Sequence, residues 1–199
     1  PTTVLAVVVG SVCRWWGGRS ADKHMSRTDS YMVVTLSWIV FSVIGMVPFI
    51  LHEGMDVASA FFETRSGFTT TGSTCIDDID RMPHALRFWR SLTQWMGGLG
   101  IVVFSFALIP VYEMKNSNVF SADVTGIGLD RLRPKIGDTA RRLLVIYLCF
   151  TAVCAALYWL GPMNLYDAVC HSMSTVATGG FSTHSASIGY FHSAYVEYV

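Results

Sequence analysis

"SGFTTTGST", residues Ser66–Thr74, is the stretch on which the fold turns, because it admits two incompatible readings. As a phosphate cradle it nearly satisfies G-x-x-x-x-G-K-[ST]: Gly67 and Gly72 have the spacing and Thr74 the hydroxyl, but Ser73 stands where the lysine belongs. As an ion filter it is a run of small residues that turns backbone carbonyls toward a cation. The sequence on either side separates the two.

Of the 199 residues 52% are hydrophobic and 14% charged, with a mean hydropathy of +0.44. Soluble domains carry about 25% charged residues, so this composition points to a membrane. Lys and Arg balance Asp and Glu at 14 each, which leaves no global field for nucleic acid. Cys13, Cys75, Cys149, Cys154 and Cys170 form no C-x-x-C pair, and no disulfide framework is expected. The chain opens on Pro1 and closes on "AYVEYV", as expected of part of a longer polypeptide, and no signal peptide is recognisable.

Three stretches are free of charge and long enough to cross the hydrocarbon core, which takes about 20 helical residues. They are Tyr31–Leu51, Ser91–Pro110 and Leu143–Leu160, the last closed by Gly161-Pro162. Gly97, Gly98 and Gly100 suit the second to close helix packing. "TTVLAVVVGSV" at the start reads as the tail of a further spanning helix. Arg14, Arg19, Lys23 and Arg27 mark one loop, and Lys115, Arg131, Arg133, Lys135, Arg141 and Arg142 another, as cytoplasmic. The acidic region from His52 to Arg90, and everything after Leu160, which has no Lys or Arg, then face outward.

"DVASAFFETRSGF", Asp56–Phe68, is helical in composition yet too short to span, and it leaves and returns to the outer side. A re-entrant helix meets that requirement, and the non-helical backbone behind it must line a protein-walled cavity. After the next span the design recurs: "NLYDAVCHSMS", Asn164–Ser174, followed by "TVATGGFST". A shift of 108 pairs Ala60 with Ala168, Ser66 with Ser174, Thr70 with Thr178 and Gly72 with Gly180. A shift of 107 would pair Gly72 with Gly179, which leaves the register open by one residue. The second copy has lost the phosphate-loop spacing but kept its threonines and glycines, as a carbonyl-lined filter requires. The carbonyl end of each short helix adds a partial negative charge toward the cation.

"SGFTTTGST", "QWMGGLGIVV" and "STVATGGFSTHSASIGYF" resemble the hallmark segments of the Trk/Ktr/HKT potassium transporters, and the resemblance runs over nearly the whole chain. It implies an all-α integral membrane fold in which four helix, re-entrant pore helix, helix repeats surround one pseudo-fourfold ion pore. Residues 1–30 would then be the end of a preceding helix and a cytoplasmic loop, 31–110 the first repeat, 111–142 a cytoplasmic linker and 143–199 an incomplete second repeat. The filter positions implied are Thr70, Thr71 and Gly72 with Thr178, Gly179 and Gly180. Glycine at position 72 goes with potassium permeability in related plant members. Potassium is thus the expected cargo, with no resident cofactor. Membrane lipid, a homodimeric partner and a cytosolic nucleotide-binding regulatory subunit are the implied associates, the last with the basic segment Arg131–Arg142 as its candidate contact, in a bacterial inner membrane.

Other polar residues are read more plainly. His24, His52, His84, His171, His184 and His192 show no ligand spacing, and His171 and His184 beside the second loop are expected to pack or to sit at a solvated rim. Asp77, Asp78 and Asp80 either concentrate cations at the mouth or form a solvated acidic loop. Glu63 and Arg65 are expected in the interior or at the outer interface, paired with Arg87 or Arg90. No nucleophile, base and orienter set suggests an enzyme. The alternative kept open is a membrane-bound nucleotide-using enzyme with a degenerate phosphate loop at 67–74.

Overall fold

The structure, a computed structural model, describes residues 2–17, 27–113 and 136–199. Every regular element among the described residues is helical. In chain order these are α1 (Thr2–Gly17), α2 (Arg27–Gly45), α3 (Val47–Glu53), α4 (Val57–Phe68), a 3₁₀ turn (Ile79–Arg81), α5 (His84–Glu113), α6 (Ile136–Leu160), α7 (Leu165–Val176), a second 3₁₀ turn (Ser187–Phe191) and α8 (Ala194–Tyr198).

The expected span Tyr31–Leu51 is two helices in succession. Pro48 lies in the first turn of α3 and has no N–H to continue the ladder, so the chain turns at Met46 before resuming. Taken together, Tyr31–Glu53 is long and apolar enough to cross a membrane, and so is Arg141–Leu160 of α6. The expected Ser91–Pro110 lies inside α5, which begins seven residues earlier at His84. The segment expected as the tail of a spanning helix is α1. Most of the predicted linker 111–142, with Lys115, Arg131, Arg133 and Lys135, falls outside the described residues, as do Arg19 and Lys23.

Each short helix has 12 residues, about 18 Å of rise against a hydrocarbon core of about 30 Å. Each starts on a side-chain cap: the Ser59 N–H donates to Asp56 Oδ2 at 3.0 Å, and the Asp167 N–H donates to Asn164 Oδ1 at 2.8 Å. Asp56 and Asn164, expected as first helical residues, are these caps, and α7 runs two residues past the expected Ser174.

Polarity is distributed inside out relative to a water-soluble domain. Leu36, Ile39, Val40 and Phe41 on α2, and Val145, Ile146, Phe150 and Val153 on α6, face outward. Glu63, Thr64, Arg90, Gln94, Ser172 and Thr183 are buried. Water would penalise this arrangement, whereas hydrocarbon favours it, since there polar groups must find partners inside the protein. The architecture is therefore an all-α membrane fold, with α4 packed between α2 and α5, and α7 between α5 and α6.

Close approach at glycines makes this packing possible. A Cβ on Gly45 of α2 would lie 2.6 Å from Thr64 Cγ2 on α4. On α5, a Cβ at Gly97 would fall on the Phe68 carbonyl oxygen at the end of α4. One at Gly98 would lie 3.0 Å from Ala177 Cβ at the end of α7. Adjacent glycines on one helix thus admit the ends of both short helices.

Candidate ion-conducting site

Past its last turn, each short helix continues in the same backbone course. The Thr69 N–H donates to Arg65 O, Thr70 N–H to Gly67 O and Thr71 N–H to Ser66 O, at 2.9, 2.9 and 3.0 Å. In the second copy Ala177 N–H donates to Met173 O, Thr178 N–H to Thr175 O and Gly179 N–H to Ser174 O, at 3.2, 2.9 and 2.8 Å. The dihedral angles repeat as well. Thr70 has φ +54° and Thr178 +55°; Gly72 has φ +76° and Gly180 +88°. Each of the six bonded groups and each of the four left-handed residues has its counterpart 108 positions away, and Gly179, which matches Thr71, is not left-handed. The register left open by one residue is therefore 108.

A threonine at positive φ is uncommon, because Cβ crowds the neighbouring carbonyl, at a cost of about 1–2 kcal/mol. Two such threonines at equivalent places mark a shape that the rest of the fold enforces. Alternating left-handed residues with ordinary ones brings successive peptide groups to face one way, instead of alternating as in a strand. Successive carbonyls presented together are what replaces a cation's water shell.

The two loops meet. A Cβ on Gly72 would fall on the Gly179 carbonyl oxygen, so glycine is required there by space and by φ, whereas Gly180 has open space around its Cβ position. A cavity of about 300 Å³ borders the second loop, lined by His171, Ser174, Thr178, Gly179, Gly180 and Ser187 among others. All six residues expected as filter, Thr70, Thr71, Gly72, Thr178, Gly179 and Gly180, thus lie in two equivalent, adjoining loops.

Side chains behind the loops hold them. The Glu63 carboxylate accepts from Thr74 Oγ1 at 3.0 Å and from the Cys75 N–H at 3.1 Å, and pairs with Arg90 Nε at 2.8 Å. Glu63 was expected near Arg87 or Arg90, and Arg90 is its partner. Arg65 has a buried Nη1 without a partner among the described residues. In the second copy His171 occupies the place of Glu63, and its Nε2 lies 3.4 Å from Ser182 Oγ and 3.3 Å from Thr183 Oγ1. Thr183 Oγ1 donates to Asp167 Oδ1 at 2.7 Å.

The segment that follows the first loop reaches the second copy. His184, expected as packing or rim, lies with Nδ1 2.6 Å from Asp80 Oδ1 and Nε2 3.4 Å from Asp167 Oδ2, stacked on Tyr190. The Ser185 N–H donates to Asp80 Oδ2 at 3.1 Å. That bond first, and the His184 contact second, hold the Asp80 carboxyl below its ordinary value, so it is ionised at neutral pH. Asp80, though exposed, therefore anchors the second loop, whereas Asp78 pairs with Arg81 three residues on, at 2.8 Å, and Asp77 is exposed.

Nothing at 67–74 forms a phosphate cradle. A helix rather than a strand precedes it, Gly67 lies inside α4 with its Cβ position against Thr93 Cβ at 3.1 Å, and the Thr74 hydroxyl is spent on Glu63. Sequence reasoning missed Gln94 and Asp167. Gln94 reads as one polar residue in an apolar run, and its contacts lie 80 and 87 residues away.

Residues 2–199 match the TrkH family, described as cation transport proteins. The chain is 40% identical over 195 residues to the Trk system potassium uptake protein TrkH of Escherichia coli K12, covering 96% of this chain and 40% of that protein. It is 36% identical over 196 residues to the Trk system potassium uptake protein TrkI of Halomonas elongata, covering 98% and 39%. The crystal structure of the potassium transporter TrkH from Vibrio parahaemolyticus superimposes with a TM-score of 0.82 at 38% identity, over 99% of this chain and 39% of that one. The chain spans about two fifths of the length of these relatives.

Proposed function

Given that the chain belongs to the TrkH family of cation transport proteins, we propose that it forms part of a pathway for potassium uptake across the cell membrane. The observation that carries this is the pair of loops equivalent at 108 residues, with left-handed Thr70 and Gly72 matched by left-handed Thr178 and Gly180. Their carbonyls supply a cation with oxygen ligands in place of water, and the protein needs no formal charge on the ion path. The buried Glu63 carboxylate is neutralised by Arg90 and spends its acceptors on the loop behind the filter. Enzymatic use of a nucleotide finds no support in the site or among the relatives.

The proposal extends to architecture. Residues 31–110 form one membrane helix, pore helix, filter, membrane helix unit, and 143–199 most of a second. Two more filter segments would complete a pseudo-fourfold ring. The basic segments face the cytoplasm, and both short helices dip from the outer face of a bacterial inner membrane. A homodimer and a cytosolic nucleotide-binding regulatory subunit are the proposed partners, on the strength of family resemblance.

Rubidium uptake by the full-length polypeptide in an uptake-deficient bacterial host tests the function. Entry above the empty host supports it, and none despite normal membrane levels refutes it.

A further inference from the structure

The second loop is held largely from outside its own repeat. On α5, Arg87, Arg90 and Gln94 follow at intervals of three and four, share one face, and are buried. They meet successive backbone groups after Gly180. Arg87 Nη1 donates to the Thr183 carbonyl at 3.1 Å and Arg90 Nη1 to the Ser182 carbonyl at 3.2 Å. The Phe181 N–H donates to Gln94 Oε1 at 3.1 Å, and the same oxygen accepts from Ser174 Oγ at 2.6 Å. Ser174 and Phe181 bracket the run Thr178–Gly180, so one carboxamide ties both ends of the loop.

Gln94 also explains Gly179. Gly179 is not left-handed, so its backbone course would accept a side chain. Its Cβ position, however, lies 2.6 Å from Gln94 Nε2 and closer still to Cδ and Oε1. The orientation of the amide follows from its partners: reversed, Nε2 would meet the Phe181 N–H donor to donor. Nε2 is buried with no partner among the described residues, so the side chain is kept there for its oxygen and its shape.

We propose that Gln94, on the second spanning helix of the first repeat, is a positioning residue that sets ion discrimination at the second filter loop. This rests on the filter reading of Thr178–Gly180. Discrimination between potassium and sodium depends on how far the carbonyls can follow the smaller ion inward. A loop pinned at both ends by one buried oxygen resists that movement, and without the pin it yields.

The experiment measures rubidium and sodium uptake by the full-length polypeptide, normalised to membrane level. Gln94→Met keeps the volume and removes the acceptor, leaving a buried N–H unpaired; discrimination is expected to fall on the order of tenfold, with protein still in the membrane. Gly179→Ala alone is expected to abolish uptake, and Gly179→Ala with Gln94→Ala to recover part of it. Parental discrimination in Gln94→Met, or no recovery in the double variant, overturns the proposal, and so does absence of both variants from the membrane. Gly72→Ser and Gly180→Val run in parallel. If they lose transport or discrimination while Gln94→Met keeps both, only the role of Gln94 falls; if they also behave as parent, the filter reading itself falls.

Discussion

The Glu63 carboxylate and the Arg90 guanidinium lie 2.8 Å apart, on side chains 0% and 1% exposed, and together they join the segments that follow the two loops proposed as filter. Glu63 holds Thr74 and Cys75, while Arg90 reaches the Ser182 carbonyl and lies over the Phe181 ring at 4.2 Å. Breaking a buried pair from one side leaves an uncompensated charge and costs about 3–5 kcal/mol. Glu63→Gln is therefore expected to lower the thermal unfolding temperature of the detergent-solubilised protein sharply. Glu63→Gln with Arg90→Met is expected to regain much of that stability without regaining parental ion discrimination. A double variant no more stable than Glu63→Gln would contradict this reading of the pair.

The two glycines proposed to line the filter, Gly72 and Gly180, differ in what they forbid. Alanine at either adopts a left-handed conformation at a cost of about 1–2 kcal/mol. At Gly72 it also meets the Gly179 carbonyl, whereas Gly180 has open space. Gly72→Ala is thus expected to reduce rubidium uptake far more than Gly180→Ala. Equal losses, measured at matched membrane levels, would show that the contact between the loops does not constrain transport.

Much of this was legible in advance because charge-free runs and left-handed residues leave marks in composition. Thr70 and Gly72 repeat as Thr178 and Gly180, and the backbone repeats with them. The start of α5 was not legible: Arg87 and Arg90 look unfit for a spanning helix until their partners Glu63, Ser182 and Thr183 are in place. Nor was the fastening of Asp80 to His184, which joins residues 104 positions apart. Hydropathy reports what a residue avoids, and only the tertiary fold reports what it meets.

Helix α5 should be intolerant of even one added carbon at Gly97. The Cβ of alanine would occupy the place of the Phe68 carbonyl oxygen, and overpacking of this kind costs about 1–3 kcal/mol. Gly97→Ala is expected to lower the unfolding temperature in detergent. An unchanged value would mean that α5 and α4 separate freely.

Topology is testable by labelling in a background stripped of other cysteines. Asp77 is exposed beside the first loop, and Asp77→Cys is expected to react with a membrane-impermeant maleimide added outside intact cells. Reaction only after the cytoplasmic face is opened would invert the proposed orientation.

The central claim is that two loops 108 residues apart line a single ion path, and rubidium uptake by Gly180→Val tests it most directly. Valine at φ +88° is strained by its branched Cβ, yet a Cβ at Gly180 itself meets nothing within 4 Å, unlike one at Gly72. Uptake is expected to fall close to that of the empty host while the protein reaches the membrane at parental levels. Parental uptake in that variant would mean that Gly180 is an ordinary loop glycine and that the second loop is no part of the path.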